Sequence, residues 1–237
     1  MKTTHTCFAL LLSAACLAQE ADTEMLAGMS AMRRSDHQAA EQAFTRAATM
    51  DPNNAKTWYY RGVNRIGQGD LGGALQDFDK AVALNPDDVH SLLRRAEVRA
   101  RFGAEQSATA DLQRILATRP TGPAAEHALL HLGHFAMAKN DLVTAKSLYD
   151  RLIDIAPYNA TGWCDRGIAL AAMHQYEAAL ADLDRAIEFD PTMDQAHVQR
   201  ALALFRMDRK QEGCDALRQA HDLGDRSVEE MMLIYCE

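Results

Sequence analysis

The sequence predicts an all-α array of repeated helical pairs, and three observations carry that prediction. The first is the spacing of proline. Pro52, Pro86, Pro120, Pro157 and Pro191 follow one another at intervals of 34, 34, 37 and 34 residues, with Pro123 outside the series. The second is a column of small residues at the same period: Gly28, Gly62, Ala96, Gly133, Gly167 and Ala201. The third is another small column twelve residues later, Ala40, Ala74, Ala108, Ala145, Ala179 and Gly213. Four residues further on stands a large apolar one: Phe44, Phe78, Leu112, Tyr149, Leu183 and Leu217. Small residues on two successive helices let their backbones approach, and the large column fills the space beside that crossing.

Composition narrows the class. The 237 residues are 48% hydrophobic and 24% charged, with 6 Pro, 13 Gly and a net charge of −8. That apolar fraction excludes a disordered chain, and the Pro and Gly counts exclude a collagen-like or linker-rich one. The acidic balance has the wrong sign for nucleic acid, whose phosphates need a basic surface.

Aligned on proline, the repeats are 21–54, 55–88, 89–122, 126–159, 160–193 and 194–227. Residues 123–125 form a three-residue insertion, where a change of superhelical pitch is expected. Each repeat shows helical periodicity twice, broken by loop residues such as 67–70 and 139–141. Asp51-Pro52, Asn85-Pro86 and Asp190-Pro191 end the second helices, because the residue before proline is pushed out of the α region.

Repeat two reads Trp58, Gly62, Ala74, Phe78, Ala81, Pro86, and repeat five reads Trp163, Gly167, Ala179, Leu183, Ala186, Pro191. In these residues the chain resembles the tetratricopeptide repeat (TPR) family, over residues 21–227. Glu24 and His197 depart from the aromatic position and Asp225 from the proline, as terminal repeats facing water do. The resemblance implies a right-handed α-α superhelical solenoid of six TPR pairs, closed by a short capping helix over 227–237.

It also implies a concave groove, lined by the first helix of each pair, that takes a peptide or partner helix. The candidate lining is Met25, Met29, Met32, Tyr59, Val63, Ile66, Leu93, His127, Leu130, His134, Met137, Cys164, Ile168, Val198, Leu202 and Phe205. The three methionines, about one turn apart, suit partners of differing shape. The carboxylate clamp of some family members is absent, because Met25 and Met29 stand where its first Lys and Asn would be. Arg94, Arg99 and Arg101 form a local basic patch suited to an acidic stretch of a partner.

Three repeats carry Arg beside the small column and Asp sixteen residues later: Arg61 with Asp77, Arg95 with Asp111, and Arg166 with Asp182. Two repeats lack both, having Ala27 with Ala43 and Leu132 with Leu148, which predicts contact between the two positions. These arginines read as structural ion pairs. Arg200, opposite Ala216, is the exception.

Residues 1–18 read as a secretory signal, with Lys2, an apolar run from Phe8 to Leu17, and Ala18 for cleavage. Losing Lys2 would take the charge from −8 to −9. Leu12-Ser13-Ala14-Ala15-Cys16 also resembles a bacterial lipobox, which makes Cys16 a candidate lipidation site, and both readings stand. Neither spans a bilayer, which takes about 20 apolar residues.

The folded part holds Cys164, Cys214 and Cys236. The tail from Gly213-Cys214 to Tyr235-Cys236 resembles the closing segment of exported bacterial TPR proteins, and that resemblance implies a Cys214–Cys236 disulfide. An oxidising compartment permits it. Cys164 reads as a small buried or groove residue. The expected location is the bacterial periplasm or cell envelope, or outside the cell.

Reactive motifs are few. Gly67-x-Gly69-x-x-Gly72 matches a dinucleotide fingerprint by letter, but falls between two helices instead of after a strand, so it reads as a turn. His127, His131 and His134 share one helix face, as a metal site or as polar surface histidines. No Ser, His and Asp grouping has catalytic spacing. The expectation is a non-enzyme without cofactor or resident metal: an exported scaffold binding another protein. The alternatives are a self-associating module, since Met231 to Ile234 make the last helix apolar on more than one face, and a metal-binding protein.

Overall fold

Each predicted pair becomes two helices joined by a tight turn. The computed structural model describes the backbone of residues 3–236 and the side chains of residues 17–236. The side chains of residues 1–16, on which most of the leader reading rests, and with them Cys7 and Cys16, lie outside the described residues.

Two compact units divide the chain, Met1–Thr118 and Arg119–Glu237. The first holds α1 (Thr3–Arg33), α2 (His37–Met50), α3 (Ala55–Gly67), α4 (Leu71–Leu84), α5 (Val89–Arg101) and α6 (Glu105–Thr118). The second holds α7 (Pro123–Ala138), α8 (Leu142–Ile155), α9 (Ala160–Ala172), α10 (Tyr176–Phe189), α11 (Asp194–Arg206) and α12 (Lys210–Asp222). A 3-10 turn, Arg226–Val228, then leads into α13 (Glu229–Cys236). Within each unit every helix packs on the next, and α1 also touches α3, as α9 touches α11. The described residues are helix and turn, with no strand among them.

Asp36, Asn54, Asp70, Asp88, Asp141 and Asn159 cap helices by accepting from backbone N–H groups in the first turn. A left-handed residue recurs between the helices of each pair: Ser35, Gly69, Gly103, Asn140, His174 and Asp208, with φ between 59° and 79°. Gly69 lies within the Gly67 to Gly72 run, which is the α3–α4 turn.

Residues 123–125 do not loop out. Pro123 starts α7, which has 16 residues where α3, α5, α9 and α11 have 13. The insertion is absorbed as extra helix. Proline suits that first position because its missing N–H has no helical partner there.

The core is the small and large columns meeting. A Cβ on Gly28 would stand 2.6 Å from Phe44, one on Gly62 2.8 Å from Phe78, and one on Gly133 2.4 Å from Tyr149. Each aromatic ring therefore lies directly on a glycine, fully buried.

Candidate functional site

The first helices carry the candidate lining, and the structure sorts it. In the first unit, Met25, Met29 and Met32 are half-buried against Ala31, Ala40 and Phe44. Tyr59, Val63 and Ile66 are half-buried against Ala74, Phe78 and Val98. Leu93 is likewise half-buried. These side chains pack by one flank and show the other. A cleft of about 560 Å³ opens beside Met25 and Leu26, bounded by Asp22, Asn53 and Lys56. Another of about 180 Å³ lies over Tyr59 and Tyr60, next to Lys56, Asp88 and His90. Tyr59 meets Tyr60 edge-on at 5.2 Å, and burial raises its hydroxyl pKa.

In the second unit, Leu130 and Met137 flank Tyr149, while Ile168 packs beside Cys164, Leu183 and Ala196. Cys164 is buried rather than open to a groove, and burial, helped by the Asp165 charge, pushes its thiol up to about 12. Leu202 lines a cleft of about 360 Å³ with Gln199, Arg206, His174 and Tyr176. Val198 and Phe205 are half-buried as well. Both pack on the cluster that Met231, Met232 and Cys236 close, and Phe205 stacks on Tyr235 with ring centroids 4.6 Å apart. Phe205 also lies where a Cβ on Gly213 would be, 2.5 Å away. One flank of each is therefore shared with the cap formed by α13.

The three histidines do not converge. His127 is exposed, and the rings of His131 and His134 sit edge-on with centroids 6.4 Å apart. His134 turns to Asp165, Nε2 to Oδ2 2.7 Å. That hydrogen bond raises the His134 pKa against the lowering effect of burial. Among the described residues no group of three or more His, Cys, Asp or Glu could hold a metal.

The basic patch is largely neutralised. Arg94 pairs with Glu97, and Arg99 with both Asp79 and Asp111, while Arg101 stays exposed. The in-repeat ion pairs form as the sequence pattern predicts. Arg61 donates to Asp77, Arg95 to Asp111 and Arg166 to Asp182, each through Nε and Nη2. Sequence reasoning missed a second partner sixteen residues earlier: Thr45 for Arg61, Asp79 for Arg95, Asp150 for Arg166 and Asp184 for Arg200. The missed signal was the shared column of Asp79, Asp150 and Asp184, and it explains why Arg200 is present opposite Ala216.

Cys214 and Cys236 are joined by a disulfide, with Cα atoms 5.6 Å apart. Among the described residues no helix is long and apolar enough to cross a membrane.

Stacked helical pairs with small-on-large columns and half-buried first-helix faces define a helical-repeat protein. The chain matches the tetratricopeptide repeat family over residues 25–88, 64–123 and 132–205, and it belongs to that family. The small glutamine-rich tetratricopeptide repeat-containing protein 2 of Saccharomyces cerevisiae is 28% identical over 104 residues, covering 44% of this chain and 30% of the relative. The chain thus matches under a third of that relative's length. Pseudomonas aeruginosa pilF has a similar fold, with a TM-score of 0.77 at 13% identity over 93% of this chain and 99% of that one. YrrB, described as a TPR protein with an unusual peptide-binding site, gives a TM-score of 0.64 at 17% identity over 80% and 96%. At such identities these likenesses concern the fold.

Proposed function

We propose that this protein is an exported scaffold that binds a peptide or a helix of another protein on the face formed by its first helices, and that it binds without catalysing a reaction. One observation carries the reading: Met25, Met29, Tyr59, Val63 and Ile66 stay half-buried along the first helices although the cores beneath are already filled by Phe44 and Phe78. Apolar flanks left over after packing are the raw material of helix-in-groove recognition. Export is supported by the leader-like residues 1–18 and by the Cys214–Cys236 bridge, which an oxidising compartment preserves.

Pull-down from the envelope fraction of the native cell tests the binding face. A partner retained by the wild type and lost by Met29→Glu supports it, and equal retention overturns it. Mass spectrometry of the mature N-terminus tests export, since a chain still starting at Met1 removes that part of the reading.

A second reading, self-association, draws on α13. Leu233 and Ile234 are 61% and 65% exposed at its outer face. Light scattering that finds a monomer, unchanged by truncation after Asp225, removes it.

A further inference from the structure

Four aspartates are buried among the described residues: Asp77, Asp111, Asp165 and Asp182. Three of them are gripped by a guanidinium through two parallel hydrogen bonds. Asp165 is faced by the imidazole of His134 instead. Arg166, the next residue, gives it nothing, because its guanidinium is spent on Asp150 and Asp182. A buried carboxylate needs a full compensating charge, which a guanidinium carries at every pH and an imidazole only while it is protonated. His134 is also a loose cover, with its side chain 49% exposed against 11% for Asp165.

A second, independent observation lies beside this pair. The hydroxyl of Tyr149 is buried and has no hydrogen-bond partner. Its ring meets the His134 ring at 6.3 Å. Tyr149 holds the large-column position, where the other repeats carry Phe or Leu, so packing does not call for that hydroxyl. Leu130 and Met137 are half-buried against the cluster that Tyr149 belongs to.

We propose that Asp165 is the anchor for a basic side chain, Lys or Arg, of the peptide bound on the first-helix face, with His134 holding the place until it arrives. The inference rests on the peptide-binding reading above. The incoming ammonium or guanidinium replaces the imidazole on Asp165 Oδ2, and His134 swings toward solvent. The Tyr149 hydroxyl accepts a hydrogen bond from the same cation, and the aliphatic stem lies along Leu130 and Met137.

Panning a random phage-displayed peptide library on the whole chain tests this. Enriched sequences should carry Lys or Arg, and their binding should weaken about tenfold on Asp165→Asn, the scale of losing a hydrogen bond to a charged group. On His134→Ala, which removes the competing donor, the same peptides should bind more tightly. Should Asp165→Asn fail to fold by circular dichroism, the His134→Ala result decides, and unchanged or weaker binding there overturns the anchor. Enrichment of neutral or acidic sequences overturns the anchor while the groove reading stands. No enrichment overturns both.

Discussion

Asp182 accepts two hydrogen bonds from Arg166, Nε to Oδ2 at 2.7 Å and Nη2 to Oδ1 at 2.8 Å, while the third nitrogen reaches Asp150 at 2.8 Å. One guanidinium on α9 thereby ties α10 to α8. With the Arg166 and Asp182 side chains only 19% and 8% exposed, removing one partner strands a buried charge. Arg166→Ala should cost about 3 kcal/mol in urea unfolding, whereas replacing both partners by apolar residues of similar volume should cost much less. A double-mutant cycle with no coupling energy would deny the pair a structural role.

A second prediction comes from the columns. Every aromatic of the large column faces a glycine, in Gly28–Phe44, Gly62–Phe78 and Gly133–Tyr149, whereas leucine faces alanine in Ala96–Leu112 and Ala201–Leu217 and glycine in Gly167–Leu183. Gly62→Ala forces a Cβ to within 2.8 Å of Phe78, and should destabilise by about 1–3 kcal/mol through overpacking. Adding Phe78→Leu should recover part of that loss. If the two changes merely add in thermal unfolding, the ring-on-glycine contact is not what limits the site.

Much of this was legible because a repeat supplies its own comparisons. The small and large columns recur at a fixed spacing, and the in-repeat Arg and Asp are present or absent together in five of the six repeats, so their contacts could be read from one chain. Contacts joining one repeat to the previous one were harder. Asp79, Asp150 and Asp184 lie sixteen residues before their arginines, and a pattern read within single repeats does not look backward across the boundary. The His37–Asn64 pair, with Asn64 also donating to the His37 carbonyl, had no repeated signal at all. The contact of Val198 and Phe205 with the cap depends on how α13 docks, which the tail's composition did not specify. Asp165 has no repeated partner in the sequence, and only its burial distinguishes it.

The His134–Asp165 pair sets a pH dependence. The hydrogen bond to Asp165 holds the His134 pKa above its ordinary 6.5, so protonated His134 is favoured in the folded state. A raised folded pKa means that the pair's contribution is fully present below about pH 6.5 and is lost as pH rises through the folded value. Asp165→Asn should bring the imidazole pKa down, because burial then acts alone. An NMR titration of the ring protons in which the variant and wild type coincide would contradict this.

The left-handed turn residues offer a stabilising change. Asp208 sits at φ 61°, a conformation that costs a side-chain-bearing residue about 1–2 kcal/mol and glycine almost nothing. The equivalent turn residues Gly69 and Gly103 already use glycine. Asp208→Gly should therefore raise the unfolding free energy, by about 0.5–1 kcal/mol once the extra freedom of glycine in the unfolded chain is set against it. A lower urea midpoint for the variant would show that the strain is absorbed elsewhere.

The last helix depends on its bridge. No residue of α13 is buried, and what holds it are the Cys214–Cys236 bond, the Tyr235–Phe205 stack and the half-buried Met231 and Met232. Closing a loop of 22 residues restricts the unfolded chain by about 3 kcal/mol in the chain-entropy account, and reduction should remove about that much. The effect should be local before it is global, since the end repeat of an array has a neighbour on one side only. Arg226 is exposed just ahead of α13, so trypsin should cut after it faster in the reduced protein than in the oxidised one. Cys164, buried and with its thiol pushed up to about 12, should stay unmodified by a thiol reagent while Cys214 and Cys236 react. Equal cutting rates in both redox states would mean that the apolar contacts of Met231, Met232 and Tyr235 secure the helix without the bond.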